Sequence, residues 1–304
     1  MKSFRKFIKF ADLQMLLAKR LIRLADNVLS YFINPQSVIL QRWYGKAPLH
    51  SCEEKKLCLF AHFDKKNKIA PYVLNYVKSL HELGSDIVFV STCKDLHATE
   101  IAKILPFCIL VVRRKNISLD FGSWRVGLAE TMNLSYYDYL ILANDSVYGP
   151  IFPLQEIFFK MNAQKLGLWG ITSTSEKTYH LQSYFLVFDR KTVESEAFSI
   201  FWKRFHFYRS KARIIEEYEI GLTTWARKSN WHSGAYIENS RITLHDINPT
   251  LFYWDRLIEE YRCPFLKTEV LRLNRAQSDR VNEWRAILES KSTYDTALIS
   301  ENLT

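Results

Sequence analysis

Asn144-Asp145-Ser146 follows the apolar run Leu140-Ile141-Leu142-Ala143 with no spacer, and Gly149-Pro150 then turns the chain away. A carboxylate at the end of such a run, flanked by an amide and a hydroxyl, offers hard oxygen ligands to a divalent cation that can bridge to a diphosphate. Magnesium or manganese needs only one or two protein carboxylates, because phosphate oxygens and water complete its shell. The same residue types also build ordinary Asx turns, and the triplet alone supports either reading. A second cluster lies upstream in VVRRKNISLDFGSWRVGL, residues 111–128. There Arg113 and Arg114 end an apolar run, Asn116 and Asp120 follow, and Gly122-Ser123 opens a helical pattern. Basic side chains, a carboxylate for ribose hydroxyls and a helix N-terminus facing phosphate are the parts of a nucleotide site. A capped helix with solvated arginines is the plainer alternative.

Elements able to position these clusters alternate along the chain. Leu57 to Phe63, Ile87 to Val90, Phe107 to Val112 and Tyr139 to Ala143 read as short buried strands. Between them, PYVLNYVKSLHELG has Pro71 at a helix start and Gly84 just past its end, and Gly122 to Met132 has a helical period. Such alternation predicts an α/β fold with a mostly parallel sheet and helices on both faces. Ligands of these sheets bind beyond the carboxyl ends of the strands, where both clusters fall. After Pro153 the pattern predicts a helix over 154–161, strands at 167–171 and 184–188, and aromatic-rich helices over roughly 192–208 and 213–228. Residues 33–56, broken by Pro35, Gly45 and Pro48, read as a linker or strap, and the Ser- and Thr-rich end reads as frayed. The expected organisation is therefore an amphipathic helix and linker over 1–50, a domain over 51–290 with halves meeting near 150, and a loose tail over 291–304.

Composition narrows the partners. The 304 residues carry a net charge of +10, which calls for phosphate, nucleic acid or acidic lipid. Residues 1–26 hold seven Lys and Arg against two Asp, with Phe4, Phe7, Ile8, Ala11, Met15, Leu21 and Leu24 at helical steps. This basic amphipathic pattern suits either an anionic membrane surface, contacted by residues 1–32, or packing on the body with a solvated face. No apolar run approaches the roughly 18 residues of a spanning helix. The five cysteines form no CxxC pair and fit buried thiols in a reducing compartment. GxGxxG after a strand, GxxxxGK[ST], GxSxG and HExxH are all missing, which removes several enzyme classes. Nucleic acid is disfavoured too, since no finger spacing or RNP-type block occurs and the basic charge concentrates at the N-terminus.

The chain resembles the rhamnan synthesis protein F family of polysaccharide-assembling glycosyltransferases through much of residues 55–275. The matching blocks include Leu59-Phe60-Ala61-His62-Phe63-Asp64, Arg114-x-Asn116 with Asp120-Phe121-Gly122-Ser123-Trp124, and Asn144-Asp145-Ser146-Val147-Tyr148-Gly149-Pro150. Trp169-Gly170-Ile171-Thr172, His180-Leu181-Gln182-Ser183-Tyr184-Phe185, Glu219-Ile220-Gly221-Leu222 and Asn248-Pro249-Thr250 continue it. The resemblance implies a GT-A-like fold and a nucleotide-sugar donor. Asn144-Asp145-Ser146 then stands at the place of the DxD signature, with Asn for its first Asp, a departure that bears on the manganese or magnesium such a signature holds. Ser118 is a second departure, at a position where the family often has glycine.

Carried over by position, Arg114 is expected to bind the phosphates and Asp120 the ribose or donor sugar, with Asn116 and Gly122 beside them. Glu219 is the candidate base for an acceptor hydroxyl. His180, Gln182, Ser183 and Tyr184 suit a sugar acceptor, and His245 is a candidate late metal ligand beside Asp145. The function so implied is transfer of a sugar, rhamnose or another deoxyhexose, to a growing surface polysaccharide or lipopolysaccharide. It would take place on the cytoplasmic face of the cell membrane. An inactive peripheral scaffold on the same fold is the alternative that the Asn at 144 leaves open.

Overall fold

The computed structural model describes residues 28, 30, 32–46, 54–274 and 278–303. Most of the expected N-terminal amphipathic helix, residues 1–27, lies outside the described residues. In chain order the strands are β1 (Ile39–Tyr44), β2 (Lys56–His62), β3 (Ser85–Ser91), β4 (Leu110–Arg114), β5 (Tyr139–Asn144) and β6 (Val147–Tyr148). They continue with β7 (Leu168–Thr174), β8 (His180–Leu181), β9 (Phe185–Asp189), β10 (Ser233–Ile237) and β11 (Leu266–Lys267). The principal helices are α1 (Pro71–Glu82), α2 (Ala98–Ile104), α3 (Leu119–Glu130), α4 (Leu154–Asn162) and α5 (Glu196–Lys203). After them come α6 (Gly221–Lys228), α7 (Trp254–Glu259), α8 (Thr268–Leu273), α9 (Trp284–Lys291) and α10 (Ala297–Leu303).

β2 is buried along its whole length. Alternate residues of a strand face opposite sides, so Cys58 and Phe60 enter one apolar layer while Leu57, Leu59 and Ala61 enter the other. α1 covers the first layer with Tyr72, Val73, Tyr76, Val77 and Leu80, which recur at helical steps. α3 covers the second, and its buried Trp124 donates from the indole nitrogen to the Ala143 carbonyl on β5 (3.1 Å). Strand order in the main sheet is β1-β4-β3-β2-β5-β9-β7-β10, with β8 attached to β7. β4, β3, β2 and β5 run parallel, whereas β1 and β9 run against their neighbours. The chain steps outward from β2 to β3 and β4, then jumps back across β2 to β5. Loops leaving β2 and β5 therefore diverge, and a crevice opens at this switch point.

Three expectations are corrected. The strap over 33–56 contains an edge strand, because β1 pairs antiparallel with β4 from Ile39↔Arg114 to Tyr44↔Leu110. Pro35 and Gly45 bracket this strand rather than interrupt it, and the sheet begins before the expected boundary at 51. The helix over 192–208 is divided at Ser195, whose side chain accepts from Phe198 N and caps α5. The tail over 291–304 is not frayed: Tyr294 and Ile299 join the core, and α10 packs on α1. A few apolar anchors outweigh the polar composition there.

Packing of this kind has a measurable cost. Ile299 is fully buried, so Ile299→Ala should lower unfolding free energy by about 2–5 kcal/mol. Urea titration followed by tryptophan fluorescence reads the change, and an unaltered midpoint would show that the tail is not part of the core.

Candidate functional site

The parallel pairing of β2 with β5 ends at Ala61↔Asn144. Asp145 follows at once, and its Oδ2 accepts from Phe63 N at 2.8 Å while its carbonyl accepts from the Tyr72 hydroxyl at 3.0 Å. His62 Nε2 stands 3.9 Å from the same Oδ2, and its Nδ1 is bonded to Ser91 Oγ (3.0 Å). Burial pushes the His62 imidazole down to about 4, so the ring beside Asp145 is neutral and offers its carboxylate no charge. Burial correspondingly raises the Asp145 carboxyl to about 8, against the Phe63 hydrogen bond, with Asp120 adding repulsion.

Asn144 uses both ends of its amide. Nδ2 donates to Asp120 Oδ2 (2.9 Å), and Oδ1 accepts from the backbone N (3.1 Å) and hydroxyl of Ser146. Asp120 is raised to about 6 by burial, with Arg114 pulling the other way and Glu219 adding to the rise. Two carboxylates, Asp120 and Asp145, thus meet on the cleft floor with little compensating charge.

Arg114 is not where a phosphate could reach it. Only 1% of its surface is exposed. Its Nε and one terminal nitrogen donate to Ser123 Oγ (3.0 and 2.8 Å), and the other terminal nitrogen donates to the carbonyls of Lys115 (2.8 Å) and Ile117 (2.7 Å). A further bond to the Leu119 carbonyl occupies the last of the guanidinium's donors. The expected phosphate ligand is therefore a clamp that wraps the 115–119 loop around itself. Burial lowers its pKa to about 9. Ser118 and Leu119 in this loop have φ of 65° and 47°, the left-handed region that glycine adopts most easily. That is the physical meaning of the serine found where the family often has glycine. Gly122 is explained by the same clamp: a Cβ there would lie 2.3 Å from the Ile117 carbonyl oxygen and 3.0 Å from an Arg114 terminal nitrogen.

Asn116, Asp120, Asp145 and Ser146 line one cleft of about 1250 Å³. Lys65, Lys66 and Lys68 from the loop after β2, Lys211, and Arg272 on α8 line it as well. Sequence reasoning missed His62, Asp64, the three lysines and Arg272. His62 ends β2 and the next four follow it closely, so their signal was the strand end itself, whereas Arg272 carried none. Glu219 sits in a π-helical turn over Ile215–Ile220, and its Oε1 accepts from Ser183 N (3.2 Å) and Oγ (3.0 Å). Glu219 is near enough for its charge to raise Asp120, but neither it nor Ser183 lines this cleft.

The other acceptor candidates are corrected. Gln182 is buried, donating to Asn248 Oδ1 (3.0 Å) and Thr250 Oγ1 (3.2 Å) and accepting from Thr172 (2.7 Å). Tyr184 is bonded to the same Thr172 hydroxyl (2.7 Å) and is also buried. His180 is buried with Nδ1 on the Thr178 carbonyl (2.8 Å). His245 is exposed and does not line the cleft, so it is no partner for Asp145.

Among the described residues no group of three or more His, Cys, Asp or Glu side chains is placed to hold a metal ion. A mode that this donor set fits is one in which the Asp145 carboxylate, with Ser146 beside it, would meet a cation that already carries phosphate. A pair of partly exposed carboxyls with raised pKa values, lining a cleft together with lysines and Arg272, marks a place where positive charge is welcome.

The sequence profile of rhamnan synthesis protein F matches residues 87–304. The chain belongs to the rhamnan synthesis protein F family. An uncharacterized protein of Sinorhizobium fredii, y4gN, is 32% identical over 46% of this chain and 38% of its own length. Virulence protein VirA of Vibrio anguillarum is 28% identical over 71% of this chain and 83% of its own. The chain thus spans well under half of the first relative and most of the second. Among solved structures, one described as a nucleotide-diphospho-sugar transferase from Desulfovibrio desulfuricans is 15% identical with a TM-score of 0.36, covering 81% of this chain and 97% of that one. The galactosyltransferase LgtC, solved with donor and acceptor sugar analogues, is 12% identical with a TM-score of 0.40, covering 81% and 99%.

Titration of the two carboxyls has a definite sign in this family member. Their folded values, about 8 and about 6, lie above the ordinary 3.8, so the folded protein holds protons that the unfolded chain releases. Their contribution to stability is fully present below about pH 4 and is lost as pH rises to about 8, while the depressed His62 acts in the opposite sense below pH 6.5 and leaves the range from 6.5 to 8 to the carboxyls. Asp145→Asn should flatten the fall above pH 6, which thermal midpoints across this range will show. Parallel profiles for the two proteins would contradict the assignment.

Proposed function

We propose that the protein is a glycosyltransferase of GT-A type, moving a sugar from a nucleotide-sugar donor to a growing surface polysaccharide or lipopolysaccharide. One observation carries this reading: Asp145 and Asp120 adjoin at the switch point of a parallel sheet, on the floor of a cleft rimmed by lysines and an arginine. Small-molecule pockets usually measure roughly 300–1,000 Å³; a larger open cleft suits a ligand in two parts, a nucleotide and a sugar. A dehydrogenase or P-loop reading lacks its glycine signatures, whereas negative floor and positive rim together suit a diphosphate with its cation.

In this reading Asp145, with Ser146 beside it, would hold manganese or magnesium, which neutralises charge on the departing nucleoside diphosphate. Asp120 accepts from hydroxyls of the ribose or the donor sugar, and Asn144 holds it in place for that contact. The lysines after β2 meet the phosphate charge from the opposite rim. Glu219, oriented by Ser183, remains the proposed base if the anomeric centre inverts, for an acceptor hydroxyl that approaches beside Asp120 from outside the lined cleft. Rhamnose or another deoxyhexose is the proposed sugar, by the family's description.

The protein is further proposed to work at the cytoplasmic face of the membrane, held to anionic lipid by the basic amphipathic segment 1–32. Among the described residues no helix is long and apolar enough to cross a bilayer. Ser30 is already buried in the fold, and a variant lacking residues 1–27 is the appropriate test. Full-length protein should co-sediment with anionic but not neutral vesicles, less so at high salt, and the shortened chain should stay in the supernatant. Equal sedimentation of both would place any membrane contact elsewhere.

The catalytic reading is tested by thermal shift with dTDP, UDP and GDP, with and without manganese, followed by turnover of the matching nucleotide sugars. One nucleotide should raise the midpoint, as mass action requires of a ligand that binds only the folded state. Asp145→Asn should fold normally and lose about a hundredfold or more in turnover. Binding without turnover in the wild-type protein would favour the scaffold, and near-native turnover in the variant would return the triplet to a turn.

A further inference from the structure

The segment that was expected to fray does more than pack. α10 places Asn302 beside the cleft, and its Oδ1 accepts from two donors: the hydroxyl of Tyr148 at 2.9 Å and a terminal nitrogen of Arg272. Tyr148 is fully buried on β6, immediately beyond Asn144-Asp145-Ser146. Arg272 belongs to α8, which is tied to the same turn. β11 pairs with β6 through Lys267↔Val147 and Leu266↔Tyr148, and Thr268 N donates to the Ser146 carbonyl at 2.9 Å. Arg272 is thus referenced to Asp145 twice, once through its own helix and once through Asn302.

Cations lining the cleft are not equivalent. Lys103 is paired with Glu100 at 2.6 Å, and Lys211 lies where its charge acts on Asp120. The three lysines of the loop after β2 stand on flexible stems, each a point charge without preferred orientation. Arg272 instead is exposed along the cleft, with its charge felt at Asp145, Tyr72 and Tyr148. A planar guanidinium fixed by a side-chain acceptor presents its remaining edge in one orientation, which is the arrangement that recognises a phosphate bidentately. Arg114, the arginine that the motif suggested for this task, is closed off inside the fold.

We propose that Arg272 is the oriented anion ligand of the cleft, binding the diphosphate of the donor and of the departing nucleotide, and that Asn302 is its positioning residue. This rests on the reading of the cleft as a donor site and adds to it a named phosphate group from the C-terminal part of the chain. The chemistry requires such a group, because charge on the leaving diphosphate grows as the glycosidic bond breaks. An arginine can neutralise that charge alongside whatever cation Asp145 holds.

Inorganic pyrophosphate is the probe, with titration calorimetry on the full chain and on Arg272→Ala, Arg272→Lys and Asn302→Ala; the free nucleosides uridine, thymidine and guanosine serve as phosphate-free controls. Wild-type protein should bind pyrophosphate, and Arg272→Ala should weaken it about tenfold or more, the loss expected for a charge-assisted hydrogen-bonded pair. Arg272→Lys should recover only part of the loss, and Asn302→Ala should fall between wild type and Arg272→Ala. Nucleoside binding should be the same in all four proteins, which a merely structural role would not give. Wild-type protein that binds no pyrophosphate, an Arg272→Ala variant of unchanged pyrophosphate affinity, or a parallel loss of nucleoside binding would each overturn the proposal. Pyrophosphate binding that depends on Arg272, found together with no turnover of any nucleotide sugar, would leave this assignment standing and defeat the glycosyltransferase reading instead.

Discussion

The hydrogen bond from Asn144 Nδ2 to Asp120 Oδ2, 2.9 Å long, joins the end of β5 to the start of α3 and sets the floor of the cleft. Residue 144 must donate to Asp120 and accept from Ser146 at the same time, and an amide does both. A carboxylate there would face Asp120 at hydrogen-bonding distance, and one of the two would have to take up a proton. The asparagine that stands for the first acid of the signature therefore has a structural reason. It removes one negative charge from a floor that already carries Asp120 and Asp145, and it keeps Asp145 free of an acidic neighbour on its own turn.

Behind that bond stands Arg114. A buried guanidinium is costly unless every donor is met, and here the carbonyls of Lys115, Ile117 and Leu119 and the hydroxyl of Ser123 meet them all. The loop before α3 is consequently folded around a cation, with Ser118 and Leu119 forced to positive φ and Gly122 kept free of a Cβ. Asp120 leaves this loop in a single direction. A second layer of contacts of this kind is what precise placement of a site residue requires, and the clamp supplies it for Asp120. The Thr172–Gln182–Asn248–Thr250 network braces the other half of the sheet, next to the turn between β8 and β9 that carries Ser183.

What the sequence made legible follows from these facts. Polar triplets directly after apolar runs identified the ends of β4 and β5, because strand period and burial are written in residue type. The helices α1 and α3 were legible for the same reason. Direction was not. Nothing in the letters of Arg114, Gln182 or Tyr184 says that these side chains turn inward, since buried and cleft-facing polar residues look alike until their partners are placed. Partners distant in sequence were equally hidden, as with Arg272 held by Asn302 thirty residues later. β1 escaped because an edge strand buries too little to show an apolar alternation. α10 escaped because one buried isoleucine within a polar composition gives no periodic signal.

In the proposed reading Asp145, at the switch point and partly exposed to the cleft, is where positive charge arrives with the donor. Titration calorimetry of manganese with the preferred nucleoside diphosphate, at pH 7 in buffers of different ionisation enthalpy, measures the protons exchanged on binding. The account predicts release of about one proton, because a carboxyl raised to about 8 must deprotonate to meet a cation, and loss of that release in Asp145→Asn. Tight binding with no proton release, unchanged by the substitution, would contradict it.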